Sequence, residues 1–243
     1  QYHSLFDALA SFSPTGFATQ YEPVVLQVGV NFRSDNTVKY TGNLGPVTAT
    51  AHWSFGNGVA GGGEVPGDFR RDSGYGAGLT YGGQAFGATV AYDQYNPTLS
   101  GGTGSVKKFA VAASYAVGPA KIMGGYRWGR SVAADGQTMV FRDDYYWVGA
   151  NCQVLPAFGL TLQYNYDNVR NLVGNTNRAN PWQVSFVADY NVSKRTDLYL
   201  TTAFAKNAGL NFDTSAIGFA NAYFLGTGES TMLGVALGIR YKF

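Results

Sequence analysis

Gly238-Ile239-Arg240-Tyr241-Lys242-Phe243 ends the chain, and the pattern it carries runs back for several more residues. Leu233, Val235, Leu237, Ile239, Tyr241 and Phe243 share one parity, and Gly234, Ala236, Gly238, Arg240 and Lys242 share the other. Successive side chains of a strand point to opposite faces, so this strand is apolar on one face and small or charged on the other. Such a strand suits a barrel wall standing between lipid and water.

The composition agrees. In 243 residues the charged fraction is 13%, aromatics reach 15% and glycine occurs 33 times, yet the mean hydropathy is only −0.10. Soluble domains carry about 25% charged residues. Alternation explains both facts, because apolar and polar positions cancel in the average while each strand keeps one lipid-facing side. No run of apolar residues is long enough for a transmembrane helix, so any crossing is by strands in a closed set. The net charge of +2 and the lack of a basic patch with interleaved aromatics point away from nucleic acid. The single Cys152 excludes an internal disulfide and reads as a small apolar strand residue. No pattern of metal ligands or cofactor motif stands out.

The period-two signal recurs near 36–41, 46–55, 73–81, 85–95, 107–117, 120–131, 143–154, 158–167, 181–191, 196–206 and 231–243, about eleven strands. Trp182, Val184, Phe186, Ala188 and Tyr190, for instance, oppose Gln183, Ser185, Asp189 and Asn191. Short connections at 42–45, 82–84, 118–119, 155–157 and 192–195 take turns with long ones near 56–72, 96–106, 132–142, 168–180 and 207–230. Outer-membrane barrels sort their loops in this way, with short periplasmic turns and long extracellular loops. The expected fold is therefore all-β, a transmembrane antiparallel up-and-down barrel. Bacterial single-chain barrels have even strand numbers, so eleven strands lead to the expectation of further strands N-terminal to this sequence. A second reading takes Val24, Leu26, Val28, Val30 and Phe32 as one face of a twelfth strand, giving a complete twelve-strand barrel with a receptor or adhesin role.

Five segments resemble the general trimeric porins of Gram-negative β-proteobacteria, the Burkholderia, Bordetella and Comamonas type. They are Gln1 to Leu9, Arg33-Ser34-Asp35-Asn36-Thr37-Val38-Lys39-Tyr40-Thr41, Tyr145 to Asn151 with Leu155-Pro156-Ala157, Val192 to Tyr199, and the Gly238 to Phe243 terminus. The resemblance implies a sixteen-strand barrel, of which this chain supplies residues 1–33 as the third, constricting loop and residues 34–243 as the last eleven strands. It further implies an outer-membrane location, a homotrimer, contact with bilayer lipid and lipopolysaccharide, insertion by the barrel-assembly machinery, and passive diffusion of ions and small hydrophilic solutes. A substrate-specific channel is the competing function.

A diffusion pore has no catalytic group; its chemistry is the width and field of its narrowest point. On this reading Asp7 and Glu22 are the acids of the constriction loop, with Ser4, Ser11, Ser13 and Thr15 as polar lining. The inward wall charges are Lys39, Lys108, Lys121, Arg127, Arg240 and Lys242 against Asp93, Asp167, Asp189 and Asp197. Arg127 lies closest to the middle of its strand and is the first candidate for a weak anion preference. Tyr241 and Phe243 resemble the assembly signal. Enzyme activity is not expected: His52 and Ser54 share a strand face, but no carboxylate is evidently placed to orient the imidazole.

Overall fold

The computed structural model describes residues 2–17, 20–29, 32–56, 63–99, 102–213 and 223–243. Two short helices come first, α1 (Ser4–Ala10) and α2 (Val24–Val28). Thirteen strands follow: β1 (Thr37–Leu44), β2 (Val47–Ser54), β3 (Gly74–Gly82), β4 (Phe86–Tyr95), β5 (Thr98–Leu99), β6 (Gly102–Thr103), β7 (Ser105–Val117), β8 (Ala120–Val132), β9 (Met139–Leu155), β10 (Phe158–Leu172), β11 (Trp182–Asn191), β12 (Thr196–Lys206) and β13 (Thr231–Tyr241). All but β5 and β6 form one eleven-stranded sheet, in which each strand pairs with the next along the chain. β5 and β6 are a small hairpin within the β4–β7 connection. Every pairing is antiparallel, so the sheet is an up-and-down wall with β1 and β13 as its edges. No described helix is long and apolar enough to cross a membrane.

The eleven strands expected from alternation are the eleven in the sheet. On β13 the apolar parity faces outward, with Leu237 79% exposed and Leu233, Val235, Ile239 and Tyr241 likewise open. Its register against β12 places Leu233 opposite Phe204 and Leu237 opposite Leu200, so the outward face stays apolar across the pair. A surface of this kind is costly in water and favourable against acyl chains. Aromatic rings run in a line across neighbouring strands: Trp53 stacks on Tyr75 at 5.4 Å, and Trp182 lies between Tyr164 and Phe204. Such rings sit at the headgroup level of a bilayer.

Two stretches depart from the expectation. The connection at 132–142 is a tight hairpin at residues 133–138, because β8 and β9 extend further than their alternation suggests. Asp135 closes it, its carboxylate accepting the backbone N–H groups of Gln137 and Thr138. Residues 24–28 are helical and not a twelfth strand. Pro23 opens the turn, the Gln27 N–H donates to its carbonyl, and Gly29 ends the helix at φ 110°, a backbone geometry that glycine adopts readily. Val30 and Asn31 of that alternative strand lie outside the described residues.

Candidate functional site

The inner face of the sheet is mostly small and polar, with Tyr145 and Trp147 as large exceptions, and the N-terminal segment lies on it. Helix α1 packs across β3, β4 and β7. Its buried Leu5, Ala8 and Leu9, with Phe12 beyond it, rest on Ala91, Ala110 and Ala112 of β4 and β7. A Cβ on Gly78 of β3 would stand 3.5 Å from that of Ala8, so helix and wall meet at van der Waals contact. Burying each of these large apolar side chains contributes roughly 1.5–3 kcal/mol. The inner-face pattern that reads in sequence as merely small is thus a seat for a helix.

Polar groups fix the segment in place. His3 caps α1, its Nδ1 accepting the Phe6 N–H at 2.9 Å, which leaves the proton on Nε2 to donate to the Val28 carbonyl at the end of α2, 3.2 Å away. Burial, with the Lys108 ammonium next in weight, lowers the His3 pKa to about 3 and keeps the ring neutral. Ser4 directs its N–H and its hydroxyl at His52 Nδ1, at 3.1 and 2.9 Å. His52 Nε2 then faces Asp93 Oδ1 at 3.4 Å. The carboxylate partner that the sequence does not reveal for His52 is therefore Asp93 on β4, two strands further along the sheet, and the serine beside it is Ser4 and not Ser54. All three are buried, and the chain Ser4–His52–Asp93 joins α1 to the wall.

Between the helices the chain turns on the wall at Gln163 of β10. Its Oε1 accepts the Thr15 hydroxyl at 2.8 Å and the Thr15 N–H at 3.2 Å. Ser13 donates to the buried Glu22 carboxyl. Glu22 is 3% exposed and its second oxygen has no hydrogen-bond partner among the described residues. Desolvation pushes its pKa up from 4.5 to about 7, against the Ser13 hydrogen bond that favours the anion. Further along, the Leu26 carbonyl in α2 accepts from Lys108 Nζ at 2.9 Å and from Arg127 Nη2 at 2.5 Å. Two cations on one carbonyl near a helix C-terminus hold α2 against β7 and β8.

The residues expected to act as open charges separate into two groups. Arg127 lies on the inward face but is fully buried beneath α2, paired with Asp143 and lying over the Tyr145 ring at 5.3 Å. It is a tether for the N-terminal segment and not a solvated wall charge, because the segment covers the middle height where its strand places it. Asp93 is buried for the same reason, and Lys39 pairs with Asp7. Ser4 and Ser13, expected to line an aqueous path, are buried in contacts with His52 and Glu22. On the open side, Arg240 donates from Nη2 to Asp189 and from Nε to Asp197, at 2.5 and 2.6 Å, and lies over the Tyr199 ring. Lys121 is exposed, with no acidic partner in ion-pair reach among the described residues. Lys242, Tyr241 and Phe243 are exposed, Tyr241 on the apolar face.

A cavity of about 570 Å³ separates Pro14, Thr15 and Gln20 from the wall residues Asn151, Thr161, Thr201 and Arg240. A second, of about 380 Å³, shares Asn151, Thr161 and Asp189 with it and reaches Lys121. Together they mark an aqueous track along β8 to β13. The connection after β12 also enters this interior. Leu210–Phe212 form a 3-10 turn; Leu210 packs with Tyr21, Ala203 and Ala205, and Phe212 meets Tyr145 edge to face at 6.0 Å. The sequence reading places all of 207–230 outside. The missed signal is the run of large apolar residues in this stretch, Leu210 and Phe212 first and Ile217, Phe219, Tyr223, Phe224 and Leu225 after them, which is unusual for an outer loop. Residues 214–222 lie outside the described residues.

An amphipathic up-and-down wall, lipid-facing on one side and carrying an in-folded segment beside an aqueous track on the other, defines a pore-type β-barrel protein. The family described as Gram-negative porin matches residues 3–210. The chain belongs to the Gram-negative porin family, whose place is the outer membrane. Its fold is similar to that of the anion-selective porin from Comamonas acidovorans, with 24% identity and a TM-score of 0.67 over 86% of this chain. OmpT of Vibrio cholerae gives 14% identity and 0.67 over 99%, and Salmonella typhi OmpF 14% and 0.64 over 100%. This chain spans 60% of the length of the Comamonas protein, 74% of OmpT and 72% of OmpF. No curated protein sequence matches.

Proposed function

We propose that the protein is a general diffusion porin, a water-filled channel through which ions and small hydrophilic solutes pass down their gradients with a weak preference for anions. The observation that carries this reading is the N-terminal segment seated on a small, polar inner face by His3, Ser4, Gln163, Arg127 and Lys108. A loop held there narrows a lumen without closing it: residues 1–33 are the constriction, with Asp7 partly exposed on it and Ser4, Ser13 and Glu22 buried in its seat, where they hold its position and do not line the path. Width and field at that level then decide passage.

The preference is weak because most wall cations are cancelled. Asp7 cancels Lys39, Asp143 cancels Arg127, and Asp189 with Asp197 outweighs Arg240. Lys121 and Lys242 are the open cations of the wall. The Comamonas acidovorans neighbour bears the description anion-selective, and one of the OmpT structures is described as a trimer form. Both support carrying these properties here, with the homotrimer in contact with bilayer lipid and lipopolysaccharide. Tyr241 and Phe243 serve as the signal for the insertion machinery, a role supported by Phe243 being fully exposed among the described residues.

Full-length protein in planar bilayers tests the reading. Stepwise currents linear in salt concentration, with a reversal potential of anionic sign in a salt gradient, are expected. Absence of conductance, or flux that saturates with solute, overturns general diffusion, and a cationic reversal potential overturns the anion preference.

A further inference from the structure

We propose that Gln183 is a positioning residue that couples two in-folded segments, the turn at Gln20–Glu22 and the turn at Leu210–Phe212, so that they move as one gate. The proposal rests on the porin reading.

Gln183 stands on the inward parity of β11 and is completely buried. Both ends of its amide are in use, and they serve different segments. Nε2 donates to the Tyr21 carbonyl at 2.7 Å and Oε1 accepts the Asn211 N–H at 2.8 Å. The neighbouring Ser185 supports it, receiving a second bond from Nε2 and donating to the same Tyr21 carbonyl at 3.0 Å. Because a primary amide has one donor end and one acceptor end, its orientation is set by both segments at once. If the Leu210–Phe212 turn withdraws, Oε1 loses its donor, and if the Gln20–Glu22 turn withdraws, Nε2 keeps only its bond to Ser185, so each withdrawal costs about a hydrogen bond.

The two segments also touch directly. Asn211 Nδ2 donates to the Gln20 carbonyl at 3.3 Å, Gln20 Nε2 donates to the Tyr223 hydroxyl at 2.8 Å, and Tyr21 meets Tyr223 edge to face. The 207–213 turn does not hold its shape by local preference. Asn207, Asn211 and Phe212 all have φ between 62 and 64°, and Phe212 is a bulky residue for which that region is unfavourable. Its conformation is imposed by what it docks against. On the wall, Gly234 leaves the room: a Cβ there would come within 2.5 Å of Leu210 and 2.9 Å of Tyr21, one residue from each segment. Two wall positions on two strands thus serve both turns together.

The test is single-channel recording of full-length Gln183→Leu, close in volume and unable to make either bond. Current fluctuations between the main open level and neighbouring levels are expected to rise roughly five- to tenfold in occupancy, the change that one net hydrogen bond represents. In a Cys152→Ser background, cross-linking Gln20→Cys to Tyr223→Cys rejoins the segments and is expected to return Gln183→Leu to quiet behaviour. A general loss of fold stability would not be reversed by that bridge. Should Gln183→Leu fail to assemble, Tyr223→Phe removes a tie between the segments at the partly exposed rim, and a smaller rise in fluctuation is expected. Quiet Gln183→Leu or Tyr223→Phe channels overturn the coupling, as does noise that the cross-link leaves unchanged. Wild-type protein that forms no channel refutes the porin reading instead.

Discussion

Neutralising Glu22 by Glu22→Gln is expected to remove a pH dependence from the seating of the N-terminal segment. The carboxyl group is buried, one oxygen receives the Ser13 hydroxyl, and the other has no partner among the described residues. Its pKa of about 7 when docked, against 4.5 when free, means that the docked segment holds the proton more tightly. Below pH 4.5 both forms are protonated and docking carries no penalty. As pH rises from 4.5 to 7 the free form ionises first and docking weakens; above 7 the full penalty is present, about 3 kcal/mol. Glutamine keeps a carbonyl acceptor for Ser13 and never ionises. Hydrogen exchange of the α1 and α2 amides in the full-length protein, corrected for intrinsic exchange, is the assay. In the wild type the open population is expected to grow on the order of a hundredfold from pH 4.5 to 8, and in Glu22→Gln to stay flat. Identical pH profiles for the two proteins would show that Glu22 does not couple proton binding to docking.

Three further outcomes are expected. Arg127→Met leaves Asp143 buried without its cation, so docking of α2 should weaken by about 3–5 kcal/mol, read as lost amide protection at 24–28 while the strands stay protected; unchanged protection contradicts the tether. Gly234→Val forces its side chain into Leu210 and Tyr21 and should displace both in-folded segments, raising single-channel conductance; an unaltered conductance sinks that expectation. Deleting Phe243 should lower the yield of assembled protein while leaving the conductance of inserted molecules nearly unchanged, and normal assembly counts against its role as a signal.

The wall was legible in the sequence because one physical fact, the two-residue period of a strand, repeats across it. Leu233 to Phe243 shows the rule, and the paired register of β12 and β13 follows it. Residues 24–28 were ambiguous for a related reason. Val24, Leu26 and Val28 satisfy period two, but five residues are also one helical turn, and Pro23 with the carbonyl-binding Arg127 and Lys108 decides for the helix. Charge pairing was the least legible. Parity correctly turns Arg127, Asp93 and Lys39 inward, but whether an inward charge meets water depends on where a distant segment lies. Asp7 on Lys39 is a contact between positions that alternation cannot connect. The Leu210–Phe212 turn was hidden among the Gly and Asn residues of its stretch, although the large apolar residues there, Leu210, Phe212, Ile217 and Phe219 among them, were a readable clue.

A constriction requires the N-terminal segment to border the aqueous track. In full-length protein with Cys152→Ser, a cysteine at Gln20, exposed on that border, should react with a bulky charged thiol reagent and lower the single-channel current stepwise. A cysteine at Leu237, on the lipid face, should leave the current unchanged under the same reagent. Reaction at Gln20→Cys without loss of current would contradict the central claim.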